Sequence, residues 1–321
     1  MKVELTIIIV NWNGESILSD CLKSIVQNPP SVTYEIIVFD NASTDNSVKW
    51  FQSAEAKMLL RETNFTLIES KENLGFGKAN NLVIEQTNSP FVFLLNPDTV
   101  IKPKAIDNLL KTLQSNKKIG AVAPKLLNKD GTIQHSVWVF PLTALRLIVE
   151  GFHLYHVLPS KIRGKWLFSK HWTYDERRKV PLFSGAAIMA KREMIKDVGA
   201  FDADFYMFGE DQEWCVRINR KGWDLFFEPT AEVFHLGGQS AIQRWDETER
   251  RLKEEEGFLK FQQHCLPPSQ VMRNSLARML VLQFYRARRI LKRQDTKYLS
   301  KVISLQKQSL KKSFNEIFNN K

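Results

Sequence analysis

The sequence predicts an α/β fold in which a mostly parallel sheet is flanked by helices. Short apolar runs without alternation, such as residues 91–95, are typical of strands buried on both faces. Between these runs lie segments whose apolar residues recur at the spacing of a helix. Several runs end in Asn or Asp, and open sheets of this type bind ligands beyond the carboxyl ends of their strands. We therefore expect a ligand site at one edge of the sheet.

The first half of the chain alternates strands and helices, as repeated βαβ units require. The helical periodicity is clearest from Ile17 to Ile25, between the first two apolar runs. We expect Ser43 to cap the next helix, because a serine side chain can accept a hydrogen bond from the free N–H groups of a helix start. The predicted strands are residues 2–10, 34–39, 65–69 and 91–95, and the predicted helices are residues 17–25, 43–51, 82–86 and 103–113.

The second half of the chain carries weaker periodic signals. Residues 133–159 are aromatic and poorly periodic, which is consistent either with an extension of the core or with a wall that receives a second substrate. The small residues 184–187 lead into a strand, where close backbone approach is expected. The other predicted elements are strands at residues 119–126 and 223–228, helices around Met194 and at residues 214–218, and a hairpin turn at Asp130-Gly131.

Length and composition exclude several classes of protein. With 321 residues and 43% hydrophobic content, the chain is long enough to bury a globular core. Its three cysteines are widely spaced and form no C-x-x-C pattern, which argues against a disulfide framework or a zinc site. The first apolar run is too short for a signal segment, and no run approaches the roughly 18 residues of a membrane span. These features predict a cytoplasmic protein.

Positive charge is concentrated at the C-terminal end. The net charge is +11, and residues 257–321 contain 14 Lys or Arg against 2 Asp or Glu. A basic amphipathic helix is expected there, which indicates a membrane-surface or partner-binding role, or else packing on the rest of the chain with a solvated basic face. We predict peripheral attachment to the inner face of the plasma membrane and no binding of nucleic acid. The apolar face of this helix comprises Leu276, Leu280, Phe284, Ala287 and Leu291.

Polar side chains follow three of the predicted strands. Asn11 follows the first strand, Asp40 the second, and Asp98 the strand at residues 91–95. Pro97 cannot continue central strand pairing, so Asp98 is expected to project from the strand tip as an oxygen ligand for a hard cation. Asn11, Asp40 and Asp98 are therefore predicted to meet at one edge of the sheet.

Other residue types suited to chemistry occur farther along the chain. Gly75 and Gly77 precede a predicted helix, where backbone N–H groups can approach a phosphate. Glu210 and Asp211 lie in the first turn of another helix, where acidic residues are favourable through the helix dipole alone. His235 precedes two glycines and is a suitable metal ligand. Taken singly, each of these features is more often structural than functional.

Several segments, in order along the chain, resemble the motifs of one enzyme family. On these segments the chain resembles an inverting, nucleotide-sugar-dependent glycosyltransferase of family 2, most closely the bacterial rhamnosyltransferase-like branch. The resemblance covers residues 4–240 and implies the GT-A fold, a Rossmann-like mixed sheet flanked by helices. The segments are Ile9-Val10-Asn11-Trp12-Asn13, residues 38–45, Asn73-Leu74-Gly75-Phe76-Gly77 with Asn80, Leu95-Asn96-Pro97-Asp98, Gly209-Glu210-Asp211, and His235 with the glycines that follow.

The resemblance implies a donor site at the strand tips. Asp40 would accept a hydrogen bond from the N3–H of a uracil or thymine ring, with the region around Asn11 beside the base. Asp98 matches the last acid of the family's D-x-D signature, which binds Mg²⁺ or Mn²⁺ against the diphosphate oxygens. The first position of that signature is Asn96 here, a neutral ligand, and this departure bears on the metal affinity. The residues that would line the ribose and diphosphate are Asn73, Gly75, Gly77 and Asn80.

The resemblance also implies the catalytic groups. Asp211 matches the general base, which is needed because the pKa of a sugar hydroxyl lies far above 7. Glu210 is the alternative base, or orients the acceptor or the helix start, and His235 matches the residue that completes the metal site. The predicted acceptor-side residues are Trp138, Ser184, Gly185 and Tyr206.

We therefore predict transfer of a sugar to a glycan or polyprenyl-linked glycan in cell-surface polysaccharide assembly, such as that of lipopolysaccharide. Rhamnose from dTDP-rhamnose is the first choice of donor and rests on the branch resemblance alone. A UDP-hexose is an alternative that would use the same pyrimidine contacts. A second alternative is a catalytically weak scaffold that binds a membrane surface or nucleic acid. The predicted domains are residues 1–240, with a donor half at 1–126 and an acceptor half at 127–240, and a basic helical tail at 241–321.

Overall fold

The computed structural model describes residues 2–166, 169–237 and 243–318. The chain divides into two compact units, each of which is defined by the contacts among its own residues. Such units need not coincide with functional domains, so the domain boundary predicted at residue 240 stays a prediction. The first unit is Met1–Trp138 with Thr173–Arg244, and the second is Val139–Trp172 with Trp245–Lys321.

Strands and helices alternate through the first unit, and the second unit is helical. The strands are β1 (Leu5–Asn11), β2 (Tyr34–Asp40), β3 (Phe65–Glu69), β4 (Phe91–Leu95), β5 (Thr99–Ile101), β6 (Ile119–Leu127), β7 (Val137–Trp138), β8 (Arg178–Lys179), β9 (Leu182–Phe183), β10 (Ala187–Lys191) and β11 (Asp224–His235). The helices are α1 (Glu15–Gln27), α2 (Ser47–Trp50), α3 (Ala54–Leu60), α4 (Phe76–Gln86), α5 (Ala105–Ser115), α6 (Ala144–Gly151), α7 (Ser160–Trp166), α8 (Arg192–Val198), α9 (Glu210–Arg220), α10 (Glu247–Cys265), α11 (Pro268–Leu291) and α12 (Lys297–Phe318).

One large mixed sheet forms the centre of the first unit. Within the described residues its strands follow the order β3-β2-β1-β4-β10-β6-β11-β5, with β8 added beside β11. β1 lies parallel to β2 and β4, and every residue of β1 is buried, as its unbroken apolar run predicts. β10 runs antiparallel between β4 and β6, and β5 runs antiparallel to β11. The predicted α/β class with a mostly parallel sheet is confirmed.

Three local predictions need correction. Ser43 does not cap a helix, because α2 begins at Ser47 and the Ser43 hydroxyl donates a hydrogen bond to Asp40 instead. The three residues of β5, which precede the predicted helix, carry too short a pattern to be recognised. β11 continues past the predicted end at residue 228, because a register shift between Glu228 and Glu232 accommodates the proline between them.

Arg192 is a buried cation that fixes the loop between α4 and β4. Its guanidinium donates to the carbonyl oxygens of Ile84 and Ser89 at 2.7 and 3.2 Å and to the Thr87 hydroxyl at 2.7 Å. We expect Arg192→Leu to lower the free energy of unfolding by about 3 kcal/mol, because charge-assisted bonds to buried groups are lost. Urea denaturation measures the effect, with Lys196→Leu on the exposed face of α8 as the control. Equal stability of the two variants would contradict this expectation.

The second unit packs its helices in an unexpected orientation. α11 and α12 lie along each other around a small cluster formed by Leu282, Val302 and Ile303. α11 forms as predicted, but its packed face combines the apolar residues Val271, Val281 and Leu282 with Asn274, Ser275 and Ala277. The predicted apolar face is exposed instead. No helix within the three described ranges is long and apolar enough to cross a membrane.

Candidate active site

An open cavity in the first unit lies at the carboxyl ends of the central strands. Two backbone pairings create it. The N–H of Asn96 donates to the carbonyl of Ala186 at 2.9 Å, which places the residues before β10 beside the tip of β4. Thr99 pairs with His235 in the β5–β11 register, which brings His235 next to Asp98. Residues that line the cavity include Asn73, Asn96, Asp98, Gly185, Asp211 and His235.

Asp98 and His235 form a buried pair in this cavity. Nε2 of His235 lies 3.3 Å from Oδ1 of Asp98. Nδ1 of the same imidazole lies 2.6 Å from Oε1 of Gln134, whose Nε2 donates to Asn128 and to the His235 carbonyl. Because Gln134 presents its oxygen, Nδ1 carries the proton, and in a neutral imidazole the Nε2 lone pair faces Asp98. A lone pair facing a carboxylate is stabilised by a proton or a cation between the two.

Asn96 contributes a third oxygen to the same cavity. Its Oδ1 is buried and makes no hydrogen bond to the described residues, and the same is true of Nε2 of His235. An amide oxygen, a carboxylate and an imidazole nitrogen are a donor set suited to Mg²⁺ or Mn²⁺. Across the part of the chain that the structure describes, no three His, Cys, Asp or Glu side chains are placed so that they could hold one metal ion together. Asn96 would therefore extend the pair of Asp98 and His235 to three ligands, and these residues fit a divalent cation.

The acidic pair at the start of α9 also lines the cavity. Oδ2 of Asp211 accepts a hydrogen bond from the N–H of Gly185 at 2.8 Å, and Oδ1 accepts one from Gln212 at 2.8 Å. A Cβ atom on residue 185 would lie 3.1 Å from Cβ of Asp211, so glycine allows this carboxylate to approach the backbone. Oε2 of Glu210, in contrast, is buried without a hydrogen-bond partner in the described residues. Asp211 is thus held in one orientation, with Gly185 as its support.

Burial favours the protonated forms of both carboxyl groups. Desolvation, followed by the negative charge of Asp211, raises the pKa of Glu210 to about 8. Desolvation also raises the pKa of Asp211, but the N–H groups of Gly185 and Gln212 oppose that rise. At neutral pH Asp211 is therefore better suited to be an ionised base and Glu210 to be a protonated neighbour.

The raised pKa of Glu210 predicts a stability that depends on pH. Between the ordinary value of 4.5 and about 8, the unfolded chain ionises Glu210 while the folded chain keeps the proton. The free energy of unfolding therefore falls as pH rises through this window, by up to about 1.4 kcal/mol per pH unit. Glu210→Gln should remove this fall.

Urea denaturation of wild type and Glu210→Gln at about pH 5 and about pH 8 measures the effect. We expect the variant to gain stability relative to wild type at the higher pH. Glu193→Gln, at an exposed position of α8, is the control and should show no such change. If wild type and Glu210→Gln differed by the same free energy of unfolding at both pH values, the raised pKa of Glu210 would be contradicted.

Asn11 and Asp40 are register partners at the ends of β1 and β2. Nδ2 of Asn11 donates to Oδ1 of Asp40 at 2.9 Å, and the Ser43 hydroxyl donates to the same oxygen at 2.6 Å. Oδ2 of Asp40 accepts from the N–H of Ser43 at 2.9 Å. These bonds orient the carboxylate at the strand tip. Neither Asn11 nor Asp40 is part of the cavity lining, although their chain neighbours Trp12 and Asn41 are.

Asn41 organises the loop before α4. Its Oδ1 accepts from the N–H of Leu74 at 2.8 Å, and its Nδ2 donates to Asn73 and to the carbonyl of Gly75. Gly75 has a φ of 80°, and a Cβ there would lie 2.5 Å from the carbonyl oxygen of Tyr206. Glycine is therefore required at this position by both conformation and space. The sequence motif contained Asn41, but its part in fixing Asn73 and Gly75 depends on contacts that only the folded chain brings together.

A cation stacked on aromatic rings lies near this loop and was not predicted. The guanidinium carbon of Arg244 lies 5.5 Å from the ring centroid of Trp12 and 5.0 Å from that of Tyr206. Arg244 also donates to the Tyr206 hydroxyl at 2.5 Å, and that hydroxyl donates to Oδ1 of Asn73 at 3.0 Å. Tyr206, predicted on the acceptor side, is thus connected to Asn73, which was predicted on the donor side. Arg244 and Trp12 are more than 200 positions apart in the sequence, so no local pattern indicates their contact.

Three of the remaining predicted residues, Asn80, Gly77 and Trp138, lie apart from the lining of the cavity. Nδ2 of Asn80 donates to the carbonyl of Phe76 in its own helix, and Gly77 backs onto Phe201. Trp138 belongs to the small two-stranded sheet formed by β7 and β9. Ser184 lines the cavity beside Gly185. The second of the two glycines after His235, Gly238, lies outside the described residues.

Two sequence-family models match the chain over more than half of its length. The model described as glycosyl transferase family 2 matches residues 6–198, and the model described as glycosyltransferase (GlcNAc) matches residues 123–312. The chain belongs to glycosyl transferase family 2. The glycosyltransferase resemblance of the sequence motifs is thereby confirmed.

Curated relatives are named as glycosyltransferases. An N-acetylglucosaminyl-diphospho-decaprenol L-rhamnosyltransferase of Mycobacterium tuberculosis is 29% identical over 62% of this chain and 66% of its own length. A low-salt glycan biosynthesis hexosyltransferase of Haloferax volcanii is 24% identical over 70% of this chain and 64% of its own length. The matches thus span about two thirds of the length of these relatives. The first relative supports the rhamnosyltransferase-like branch.

Solved structures of glycosyltransferases share the fold. A mannosyltransferase from Pyrobaculum calidifontis, in complex with GDP-Man and Mn²⁺, superposes on the whole chain and on 89% of its own, with a TM-score of 0.54 and 16% identity. Residues 1–349 of TarS from S. aureus, in complex with UDP, cover 98% of this chain and 92% of their own, with a TM-score of 0.53 and 14% identity. The predicted GT-A fold is confirmed.

Proposed function

We propose that this glycosyltransferase moves a sugar from a nucleoside diphosphate donor to a hydroxyl group of a glycan or polyprenyl-linked glycan, with inversion at the anomeric carbon. The observation that carries the proposal is the arrangement of Asp211 in the same cavity as Asn96, Asp98 and His235. Inverting transfer needs one base for the acceptor and a positive centre for the leaving diphosphate. One cavity holds candidates for both.

The pyrimidine of the donor is proposed to bind at the tips of β1 and β2. Asp40 is buried and oriented by Asn11 and Ser43. Its Oδ2 accepts one hydrogen bond, from the N–H of Ser43, and a carboxylate oxygen can accept a second, which the N3–H of uracil or thymine would donate. Trp12, which lines the cavity next to Asn11, offers a ring on which the base can lie. These contacts suit dTDP-rhamnose, our first choice, and a UDP-hexose equally.

Asn96, Asp98 and His235 would hold a divalent cation. Solved relatives of the same fold contain Mn²⁺, which supports this assignment. When bound, the cation would neutralise charge that accumulates on the leaving diphosphate. Asn73 and the N–H groups at the start of α4 would hold the diphosphate, because a helix start favours anions.

Asp211 is the proposed general base. It would accept the proton of the acceptor hydroxyl as that oxygen forms a bond to the anomeric carbon. The bond from this carbon to the diphosphate oxygen breaks on the opposite face, so the configuration inverts. Gly185 keeps the Asp211 carboxylate in place through its N–H, and a protonated Glu210 would avoid a second negative charge beside the base.

The experiment that tests the proposal is a donor assay without acceptor. The purified chain is incubated with Mn²⁺ and each of dTDP-rhamnose, UDP-glucose, UDP-N-acetylglucosamine and GDP-mannose, and released nucleoside diphosphate is measured by anion-exchange chromatography. We expect slow release from one pyrimidine donor, because water substitutes for the acceptor hydroxyl, and none from the guanosine donor. Release from GDP-mannose alone, or from none of the four, would overturn the proposal.

A further inference from the structure

Two helices of the second unit expose apolar side chains in unusual number. α11 leaves Leu280 57%, Phe284 46% and Leu291 85% exposed. The neighbouring segment, α6 and the turn after it, leaves Leu145 61% and Val157 84% exposed. α6 is rich in Leu, Ile and Val and yet has no buried residue. Exposed apolar faces of this size normally mark a site that binds another protein or a membrane.

Contacts within the unit place the end of α6 and the turn after it beside α11. The Phe152 ring lies edge-on to the Phe284 ring, with centroids 5.2 Å apart. Gly151 ends α6 so close to α11 that a Cβ there would lie 2.6 Å from Val281, and its carbonyl accepts from the Tyr285 hydroxyl at 2.9 Å. α6 therefore lies against α11, with the exposed leucines of both helices left unpacked. We call Leu145, Val157, Leu280, Phe284 and Leu291 the apolar surface.

The buried face of α11 is fixed by hydrogen bonds, so the helix cannot turn to bury the residues of the apolar surface. Asn274 donates to Gln262 at 2.8 Å and to the carbonyl of Leu142 at 3.1 Å, so the buried face is fixed by hydrogen bonds. Rotating the helix to bury Leu280 and Phe284 would break these bonds and leave buried polar groups unpaired. The exposure of the apolar surface is thus a consequence of how α11 is anchored.

Positive charge accompanies the apolar surface. α11 contains five arginines and no acidic residue. Arg278 is engaged by Glu255, whereas Arg288 lies over the Phe284 ring, 5.9 Å from its centroid. Arg289 follows it at an exposed position, where it donates to the carbonyl of Asp295 at 3.1 Å and carries no carboxylate partner among the described residues. The same helix thus combines leucines that suit a hydrocarbon boundary with guanidinium groups that suit phosphate.

We propose that the apolar surface of α6 and α11 binds the surface of an anionic lipid bilayer. The leucines and Phe284 would enter the boundary between headgroups and acyl chains, while Arg288 and Arg289 meet lipid phosphates. A bilayer explains both features at once, whereas a second copy of this chain would bring two arginine-rich helices together at the cost of repulsion. The benefit to catalysis rests on the proposed function, since a lipid-linked acceptor lies at such a surface. Lipid binding itself does not depend on catalysis.

Sedimentation with vesicles tests the proposal without donor or acceptor, so its outcome is independent of the proposed function. Vesicles of phosphatidylcholine with phosphatidylglycerol are compared with phosphatidylcholine alone. We expect Leu280→Gln/Phe284→Gln to weaken binding by about tenfold or more on anionic vesicles, because two apolar side chains no longer leave water. Arg288→Gln/Arg289→Gln should weaken binding to anionic vesicles only, most clearly at low salt.

Matched controls come from the first unit. Met58→Gln removes a side chain that is 82% exposed, and the double variant Lys57→Gln/Lys111→Gln removes two exposed charges. Both variants should bind as wild type does. Failure of wild type to sediment with anionic vesicles would overturn the proposal, as would undiminished binding by Leu280→Gln/Phe284→Gln. A dimer in sedimentation velocity that this double variant dissociates would also overturn it, because a second copy would then cover the surface.

Discussion

Asp211→Asn is expected to lower kcat for sugar transfer by about 10²- to 10⁴-fold, the usual contribution of a positioned general base. The amide cannot accept the proton of the acceptor hydroxyl, although its size and position match those of the carboxylate. Nucleotide binding should stay within about threefold of wild type, because Asp211 is not among the proposed donor contacts. The measurement is a steady-state assay combined with calorimetric titration of the nucleotide.

A pH profile separates this role from a structural one. Burial raises the pKa of Asp211, so wild-type activity should be lost on acidification at a higher pH than an ordinary aspartate would allow. The residual activity of Asp211→Asn should not show this loss on acidification. Glu193→Gln, which removes an exposed carboxylate from α8, is the control and should keep the wild-type profile. An Asp211→Asn enzyme with a kcat within tenfold of wild type would remove Asp211 as the base.

Asp98→Ala is expected to raise the dissociation constant for Mn²⁺ in the presence of nucleotide by about 100-fold or more. The pair of Asp98 with Nε2 of His235, at 3.3 Å, would lose the carboxylate that favours a cation most strongly. Loss of the electron paramagnetic resonance signal of free Mn²⁺ on binding measures the affinity directly, with no need for turnover.

Gln134→Leu provides a second variant for the same measurement. Gln134 accepts the Nδ1 proton of His235 at 2.6 Å and so points Nε2 toward Asp98. Removing it should weaken Mn²⁺ binding about 10- to 100-fold, as is common for groups that orient a ligand histidine. Asn128→Leu, one hydrogen bond farther away, should have a smaller effect. Mn²⁺ binding that is unchanged in Asp98→Ala would show that the cation binds elsewhere or not at all.

The first half of the fold was predictable because its strands are buried on both faces. Unbroken apolar runs such as those of β1 and β4 predict central strands, and all four strands predicted there are present. β5 was missed because three residues carry too little pattern, yet its pairing with β11 places His235 beside Asp98. Asp98 and His235 were therefore both predicted as metal ligands, but the pairing of β5 with β11 that brings them together was not predicted.

Residues whose roles depend on distant contacts could not be found from sequence. Gln134 lies in a segment with weak periodicity, and its bond to His235 spans 101 positions. Arg244 contacts Trp12 from the other end of the first unit. The apolar face of α11 was predicted from helical spacing, but which face of a helix packs is decided by its neighbours. Here hydrogen bonds from Asn274 to Gln262 and to the carbonyl of Leu142 favour packing of the face that carries Asn274.

The central claim is that the cavity at the strand tips binds a pyrimidine nucleoside diphosphate together with a divalent cation. Calorimetric titration of dTDP, UDP and GDP into the purified wild-type chain, with and without Mn²⁺, tests it most directly. We expect dTDP or UDP to bind with Mn²⁺, to bind at least about tenfold more weakly without it, and to bind more tightly than GDP. Absence of binding by both pyrimidine nucleotides in the presence of Mn²⁺ would contradict the assignment of the donor site.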